Sequence, residues 1–421
     1  MLDFTLTEEQ QMLQKTAREF AQNEIRPVVE EIERLDRSKS RPWDVSRKMY
    51  EKAVKLGFTS MLIPQEYGGG GLGCLENVLL EEEFGAVDVG IAATLFNMSI
   101  APVKIIEFAA TPEQRERWLR ELVACDTPVL ASAGNEPNVA GCDFMCPYPD
   151  PRIGIQTFAR KDGDSYVING QKAGFITNAG VASYYFVIAR TDLTKPQMES
   201  SAFFFVPADT PGLRVGRSTD LLGWRTAQSA EVYFEDMRVP REALVGGEEG
   251  GANSIFLMQA MPYVAVGLAA VYVGLARAAY EYALEYAQQR VSWGQPIIRH
   301  QSITAMLADM VVETQAARLV VWDAAWHTDR RSEQAAIVKS PSAKTFAVDV
   351  AIRNAERALK ILGAYGICQE YRTAKYLCDA WVGWPCDGPN TMLRLHMANM
   401  LFGLYGPPPG AGPGGGPPVQ S

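Results

Sequence analysis

Lys161-Asp-Gly-Asp-Ser-Tyr-Val-Ile-Asn-Gly170, followed by Phe175-Ile-Thr-Asn178, is the stretch whose reading decides the fold. Its β-branched and aromatic residues stand between turn formers, the pattern of short strands rather than of a 3.6-residue period. The same texture recurs at residues 153–159, 165–168, 184–190, 202–206, 213–215 and 231–234. Asp162-Gly163, Asn169-Gly170 and Asp209-Thr-Pro-Gly212 read as the turns between them. Residues 126–244 are therefore predicted to form an antiparallel β-domain.

Outward from this block the period changes on both sides. Thr7-x-x-Gln10 is a capping box, and Leu13, Ala17, Phe20, Ala21 and Ile25 then recur at helical spacing up to Pro27. Further helical patterns lie at 43–56, 75–84 and 111–123, the last opened by Thr111-Pro112. Residues 1–125 are predicted as an N-terminal helical bundle. Long helical patterns return at 265–290, 300–327 and 341–362, which predicts a C-terminal four-helix bundle over 245–404. The Pro/Gly run 405–421 has no apolar period and is expected to be a disordered tail. The expected class is α+β, with the β-domain between two helical bundles.

With 421 residues, 47% of them hydrophobic, the chain can bury a core in two or three units. Forty Lys and Arg stand against 49 Asp and Glu with no basic run, which opposes a nucleic-acid partner. The N-terminus lacks the basic flank and apolar run of a leader, and residues 255–275 are interrupted by Gln259, Pro262 and Gly267, so no membrane span is expected. Seven scattered cysteines suit a reducing compartment, the cytoplasm. Cys142 and Cys146, with three histidines in the whole chain, do not make a zinc pattern. Gly68 to Gly71 lacks the Lys-Ser/Thr of a phosphate loop and reads as an interhelical turn.

This order of units and several local strings resemble the acyl-CoA dehydrogenase family over residues 1 to about 404. The resemblance implies FAD as cofactor, with Phe175 shielding the flavin ring and the Thr177 hydroxyl near its N5. Ala133-Gly-Asn-Glu-Pro137 with Gly141-Cys-Asp143 resembles the family's T-E-P-x-A-G-S-D segment, Asn135 and Cys142 replacing its hydroxyl residues. A proline-rich stretch, 146–152, follows as an addition that reads equally as a reshaped substrate mouth or as a tolerated surface loop. Gln289-Arg290-Val-Ser-Trp293-Gly294 with His300-Gln301 resembles the R-x-x-F-G and H-Q strings, and Lys360-Ile-Leu-Gly363-Ala-Tyr-Gly366 resembles Q-I-L-G-G-x-G. The resemblance thus implies Arg290, Trp293, Gln301, Lys360 and Gly363 as FAD contacts. Because such residues serve a neighbouring subunit's cofactor in the family, it also implies a homotetramer.

The family's base is the glutamate of a Y-E-G-T string after R-D-A; here Cys378-Asp-Ala380 is followed by Cys386-Asp387-Gly388-Pro389. A carboxylate is what removal of an α-proton beside a thioester requires, so Asp387 is the expected catalytic base. Aspartate is one methylene shorter than glutamate, about 1 Å of reach. The expected acyl-CoA substrate is therefore bulky, branched or alicyclic, with Trp384, Cys386 and Gly388 beside it. Arg394, two helical turns on, is expected to fix the carboxylate. The alternative base position, within Pro262-Tyr-Val-Ala265, holds no carboxylate. Electron-transfer flavoprotein is the implied acceptor. The runner-up is a nitroalkane oxidase-like flavin oxidase, which resembles the chain through Asp387, Asn390 and Arg394.

Overall fold

The computed structural model describes residues 5–36, 40–139, 150–250 and 253–403. The N-terminal unit consists of α1 (Glu8–Phe20), α2 (Arg26–Glu33), α3 (Pro42–Lys55), α4 (Cys74–Gly85), α5 (Ile100–Ala109) and α6 (Pro112–Ala124). Thr7 accepts from the Gln10 amide at 3.2 Å while the Gln10 side chain returns to Thr7 N, and Thr111 and Gln114 repeat the device. α4 is buried on every side. It carries Glu82 and Glu83 into ion pairs with Arg318, Arg277 and Arg18, and Glu81 with no partner among the described residues.

The middle sheet has seven strands: β1 (Leu130–Ala133), β2 (Phe158–Asp162), β3 (Ser165–Thr177), β4 (Tyr184–Arg190), β5 (Ser201–Pro207), β6 (Leu213–Ser218) and β7 (Ser229–Pro240). Their order is β1-β4-β2-β3-β7-β6, with β5 also paired to β4. It is not wholly antiparallel, because β1 runs parallel to β4, Leu130 opposite Tyr184, and β2 meets β4 in parallel at Phe158 and Arg190. β1, a four-residue strand between Pro128 and Gly134, is not among the expected strands. Asp162-Gly163 is the expected turn, with Gly163 at φ 62°. Asn169-Gly170 is not: it lies inside β3 at a bulge, where Gly170 has φ 154° and its missing Cβ would stand 2.7 Å from the Thr157 hydroxyl.

The C-terminal unit contains α7 (Met261–Gln289), α8 (Gln301–Asp329), α9 (Ser340–Leu362), α10 (Arg372–Val382) and α11 (Asn390–Phe402). By length and composition, Val89–Ala109 and Phe256–Gln289 could cross a membrane, but 94% and 78% of their apolar windows are covered by the protein, so they act here as core helices. α7 packs on α4 at small residues. A Cβ on Gly85 would lie 2.7 Å from Val271 Cα, which is why the two axes can approach so closely.

All three units meet at one ammonium. Lys375 Nζ of α10 lies 2.6 Å from Asp379 Oδ2, 2.7 Å from Asp88 Oδ2 and 3.6 Å from Glu33. Asp88 also accepts from Thr226 Oγ1, and Asp379 accepts from Trp224 N at 2.6 Å, both donors standing before β7.

Candidate active site

The loop between α10 and α11, residues 383–389, is shaped by close packing. Gly383 sits on the buried Tyr272 ring of α7, where a Cβ would come within 2.6 Å of Cε2 and nearer still to Cζ and the hydroxyl. Tyr272 is held in place by its hydroxyl, which donates to Asp379 O at 3.1 Å. Asn390 N donates to Trp384 O at 2.9 Å and closes the loop. Two consecutive residues within it are left-handed, Asp387 at φ 46° and Gly388 at φ 88°. Glycine is free to adopt this conformation, and aspartate is among the few other residues that do so readily.

Asp387 is half-buried, and its carboxylate makes no hydrogen bond within the described residues. Burial pushes its pKa above the ordinary aspartate range, opposed by the charge of Lys344. Lys344, fully buried on α9, donates to Gly383 O, Gly388 O and Asn390 Oδ1, each at 2.9 Å. Burial pushes this ammonium down to about 8, so it is charged at neutral pH, and three acceptors match its three protons. Cys386 is driven up to about 12 by burial and by Asp387, which makes it a packed thiol rather than a nucleophile. Trp384 is half-buried against the helical core, whereas Trp381 is exposed.

Arg394 does not serve Asp387. Its guanidinium pairs with Asp349 of α9, whose other oxygen accepts from Asn390 Nδ2 at 2.9 Å. The expectation from helical spacing fails because Asp387 lies before α11 begins, so the two-turn relation does not apply to it.

On the β-domain, Phe175 is 55% exposed and Thr177 half-exposed, with buried Ile176 between them, so both expected flavin contacts share one face of β3. Exposed Asn135 lies beside them, its carbonyl accepting from Ala173 N at 2.9 Å. The next residue, Glu136, is clamped by buried Lys172 at 2.9 Å and by the Thr157 hydroxyl and amide. Cys142 falls outside the described residues, as do residues 146–149 of the proline-rich stretch; at its far end, Pro151 O accepts from buried Arg190 at 3.0 Å. Asn178 was given no role on sequence grounds. Left-handed at φ 64°, it donates to Thr94 O at 2.6 Å and Leu130 O at 2.9 Å, tying the end of β3 to the N-terminal unit. Its signal was an asparagine directly after a strand, a residue type that tolerates this conformation.

The remaining expected contacts gather on the C-terminal bundle. Arg290 follows α7 and has no ion pair among the described residues; its guanidinium lies 5.5 Å from the Tyr365 ring in the Gly363–Ile367 turn. Trp293, at φ 50° in a tight hairpin, is 93% exposed. Gly363 has φ 61° and open space where a Cβ would be, while Lys360 and Gln301 are exposed. Bare aromatic faces with an unpaired arginine suit a planar ring system carrying a pyrophosphate, so the residues present fit a flavin dinucleotide.

Models of the acyl-CoA dehydrogenase N-terminal, middle and C-terminal domains match residues 7–126, 136–237 and 255–402. The chain belongs to the acyl-CoA dehydrogenase family. This is a family of FAD-dependent oxidoreductases acting on the CH–CH bond of acyl-CoA. The chain is 35% identical to the short-chain-specific acyl-CoA dehydrogenase of Megasphaera elsdenii over 406 residues, covering 95% of this chain and 100% of that one. It is likewise 35% identical over 397 residues to the cyclohex-1-ene-1-carbonyl-CoA dehydrogenase of Geobacter metallireducens, covering 94% and 99%. The structure of butyryl-CoA dehydrogenase from M. elsdenii superposes with a TM-score of 0.84 at 33% identity, covering 95% of this chain and 100% of that one.

Proposed function

We propose that this acyl-CoA dehydrogenase oxidises a CoA thioester with a bulky, branched or alicyclic acyl group, and that Asp387 removes the α-proton. The observation that carries this reading is the Asp387 carboxylate itself: half-buried, without a hydrogen bond among the described residues, raised by burial and countered by one lysine. A carboxylate free of hydrogen bonds keeps its lone pairs for a substrate proton, and a raised pKa brings it nearer the working pH of a general base. Bound FAD would supply the hydride acceptor. Phe175 and Thr177 would hold its ring, Asn135 and Cys142 its phosphate side, and Arg290, Trp293, Gln301, Lys360 and Gly363 the adenylate of a neighbouring copy in a homotetramer. Trp384 and Gly388, beside the base, would shape the acyl pocket. That a relative is named for a cyclohexenecarbonyl thioester supports a ring-sized acyl group. Electron-transfer flavoprotein is the proposed acceptor, and a reducing cytoplasm the proposed compartment.

Anaerobic titration with straight-chain, branched and alicyclic CoA esters, read as bleaching of the flavin absorbance, tests the reading. Alicyclic or branched esters are expected to reduce the flavin fastest. Asp387→Asn is expected to retain FAD and lose reduction by roughly 10²- to 10⁴-fold. Bleaching by nitroalkanes alone would overturn the dehydrogenase reading in favour of the oxidase alternative.

A further inference from the structure

We infer that Lys344 is the positioning residue of the reaction: from α9 it holds the 383–389 loop in the one conformation that presents Asp387 to substrate. The inference rests on Asp387 being the base. The argument begins with what fixes that carboxylate. The Asp387 carboxylate has no hydrogen bond among the described residues, and its own backbone and that of Gly388 occupy a left-handed stretch that an isolated chain visits rarely. Something outside the loop must therefore select the conformation.

The contacts identify it. The Lys344 ammonium grips the loop on both sides of the base, at Gly383 O and Gly388 O, and then the first residue of α11 through Asn390 Oδ1, each at 2.9 Å. Asn390 is itself oriented by Thr345 O at 3.3 Å and Asp349 Oδ1 at 2.9 Å, both on the helix that carries the lysine. A neutral amine has two protons and cannot satisfy three acceptors, so the clamp requires the charged form. That charge does a second thing, since it favours the ionised form of Asp387.

The groups facing this pair are few. Cys386 and Tyr272 stay neutral because burial raises both. Asp349 is taken by Arg394 and Asn390. Asp379, the other charge near Tyr272, is paired with Lys375. Asp387 and Lys344 are thus the two groups whose charges answer to each other across the site.

The test is Lys344→Met, a side chain of similar length without charge or donors. FAD content and the KM for the CoA ester are expected to stay within about threefold, whereas kcat for flavin reduction falls roughly 10²-fold through loss of the carboxylate's placement. The acid limb of the kcat profile should move to higher pH, because the charge that favoured the ionised base is gone. A merely structural lysine would not move that limb. Asn390→Ala, which removes one acceptor and leaves the lysine, serves if Lys344→Met does not accumulate folded; a smaller fall in kcat at constant KM is expected. Wild-type kcat in the folded variant, or an unmoved acid limb, overturns the inference. Asp387→Asn separates the two failures: full reduction in that variant sinks the base assignment, while an inactive Asp387→Asn beside an unaffected Lys344 variant sinks the lysine's role alone.

Discussion

Replacing Asp387 by glutamate should slow the enzyme, although glutamate is the commoner base in sequences of this family's pattern. Two separate magnitudes lead to that expectation. The first is conformational. Asp387 stands at φ 46°, a region that aspartate enters with help from its short side chain; a longer residue there meets a penalty of about 1–2 kcal/mol. At 1.36 kcal/mol per factor of ten, that alone removes about one order of magnitude from the population of the productive loop. The second is reach. One added methylene displaces the carboxylate by about 1 Å from where the substrate has been accommodated, a misplacement worth roughly 10²-fold. Together they predict a fall in kcat of about 10²- to 10³-fold with FAD retained. Stopped-flow reduction of the flavin under anaerobic conditions measures it directly. A variant as fast as the wild type would refute both the substrate-adaptation argument and the importance of the loop geometry.

Other perturbations test the surroundings of the site. Gly383→Ala should destabilise the protein by about 2–5 kcal/mol, because a Cβ collides with the Tyr272 ring and displaces its buried bond to Asp379 O; denaturant unfolding would reveal it, and an unchanged midpoint would contradict the packing. Lys172→Met leaves Glu136 buried without its cation and should cost about 3–5 kcal/mol, read the same way. Glu81 has a raised pKa from burial and no hydrogen-bond partner among the described residues, so its proton is bound more tightly in the folded than in the unfolded state and stability declines as pH rises through its folded pKa. Glu81→Gln is expected to raise the thermal midpoint near pH 8 and to lose that advantage at acid pH; a constant difference across pH would count against the neutral buried carboxyl. Trp293→Ala, at a 93%-exposed position, should leave monomer stability within about 0.5 kcal/mol of wild type yet weaken FAD retention, measured by ultrafiltration.

What could be read from the sequence was mostly what is encoded locally. Thr7 and Gln10, or Thr111 and Gln114, specify a helix start through contacts three residues apart, and the apolar period of α7, α8 and α9 declares a buried face at each turn. Asn169-Gly170 misled because the same pair that makes a hairpin turn also makes a bulge. Only the presence of Thr157 against Gly170 distinguishes them, and that contact comes from the residue just before β2. Arg394 misled for a related reason, since helical spacing was applied across the boundary where α11 begins. Lys344 carried no signal at all: its partners are backbone carbonyls and an amide lying from Gly383 to Asn390, brought to it by packing between helices. A lysine on an apolar helix face reads as a solvated side chain until the opposing loop is in place.

The cluster around Lys375 has a further consequence for how substrate enters. Glu33 and Asp88 come from the first unit, Thr226 and Trp224 from the strand-rich one, and Lys375 and Asp379 from the last. Hinging the first or the last unit away would strand Asp88 without its cation, at a cost of several kcal/mol, and hinging the strand-rich unit away would strip Asp88 and Asp379 of the Thr226 and Trp224 donors. The three units are thereby tied into one frame, which favours side-chain and loop movements over the hinging of whole units as the way ligands reach the 383–389 loop.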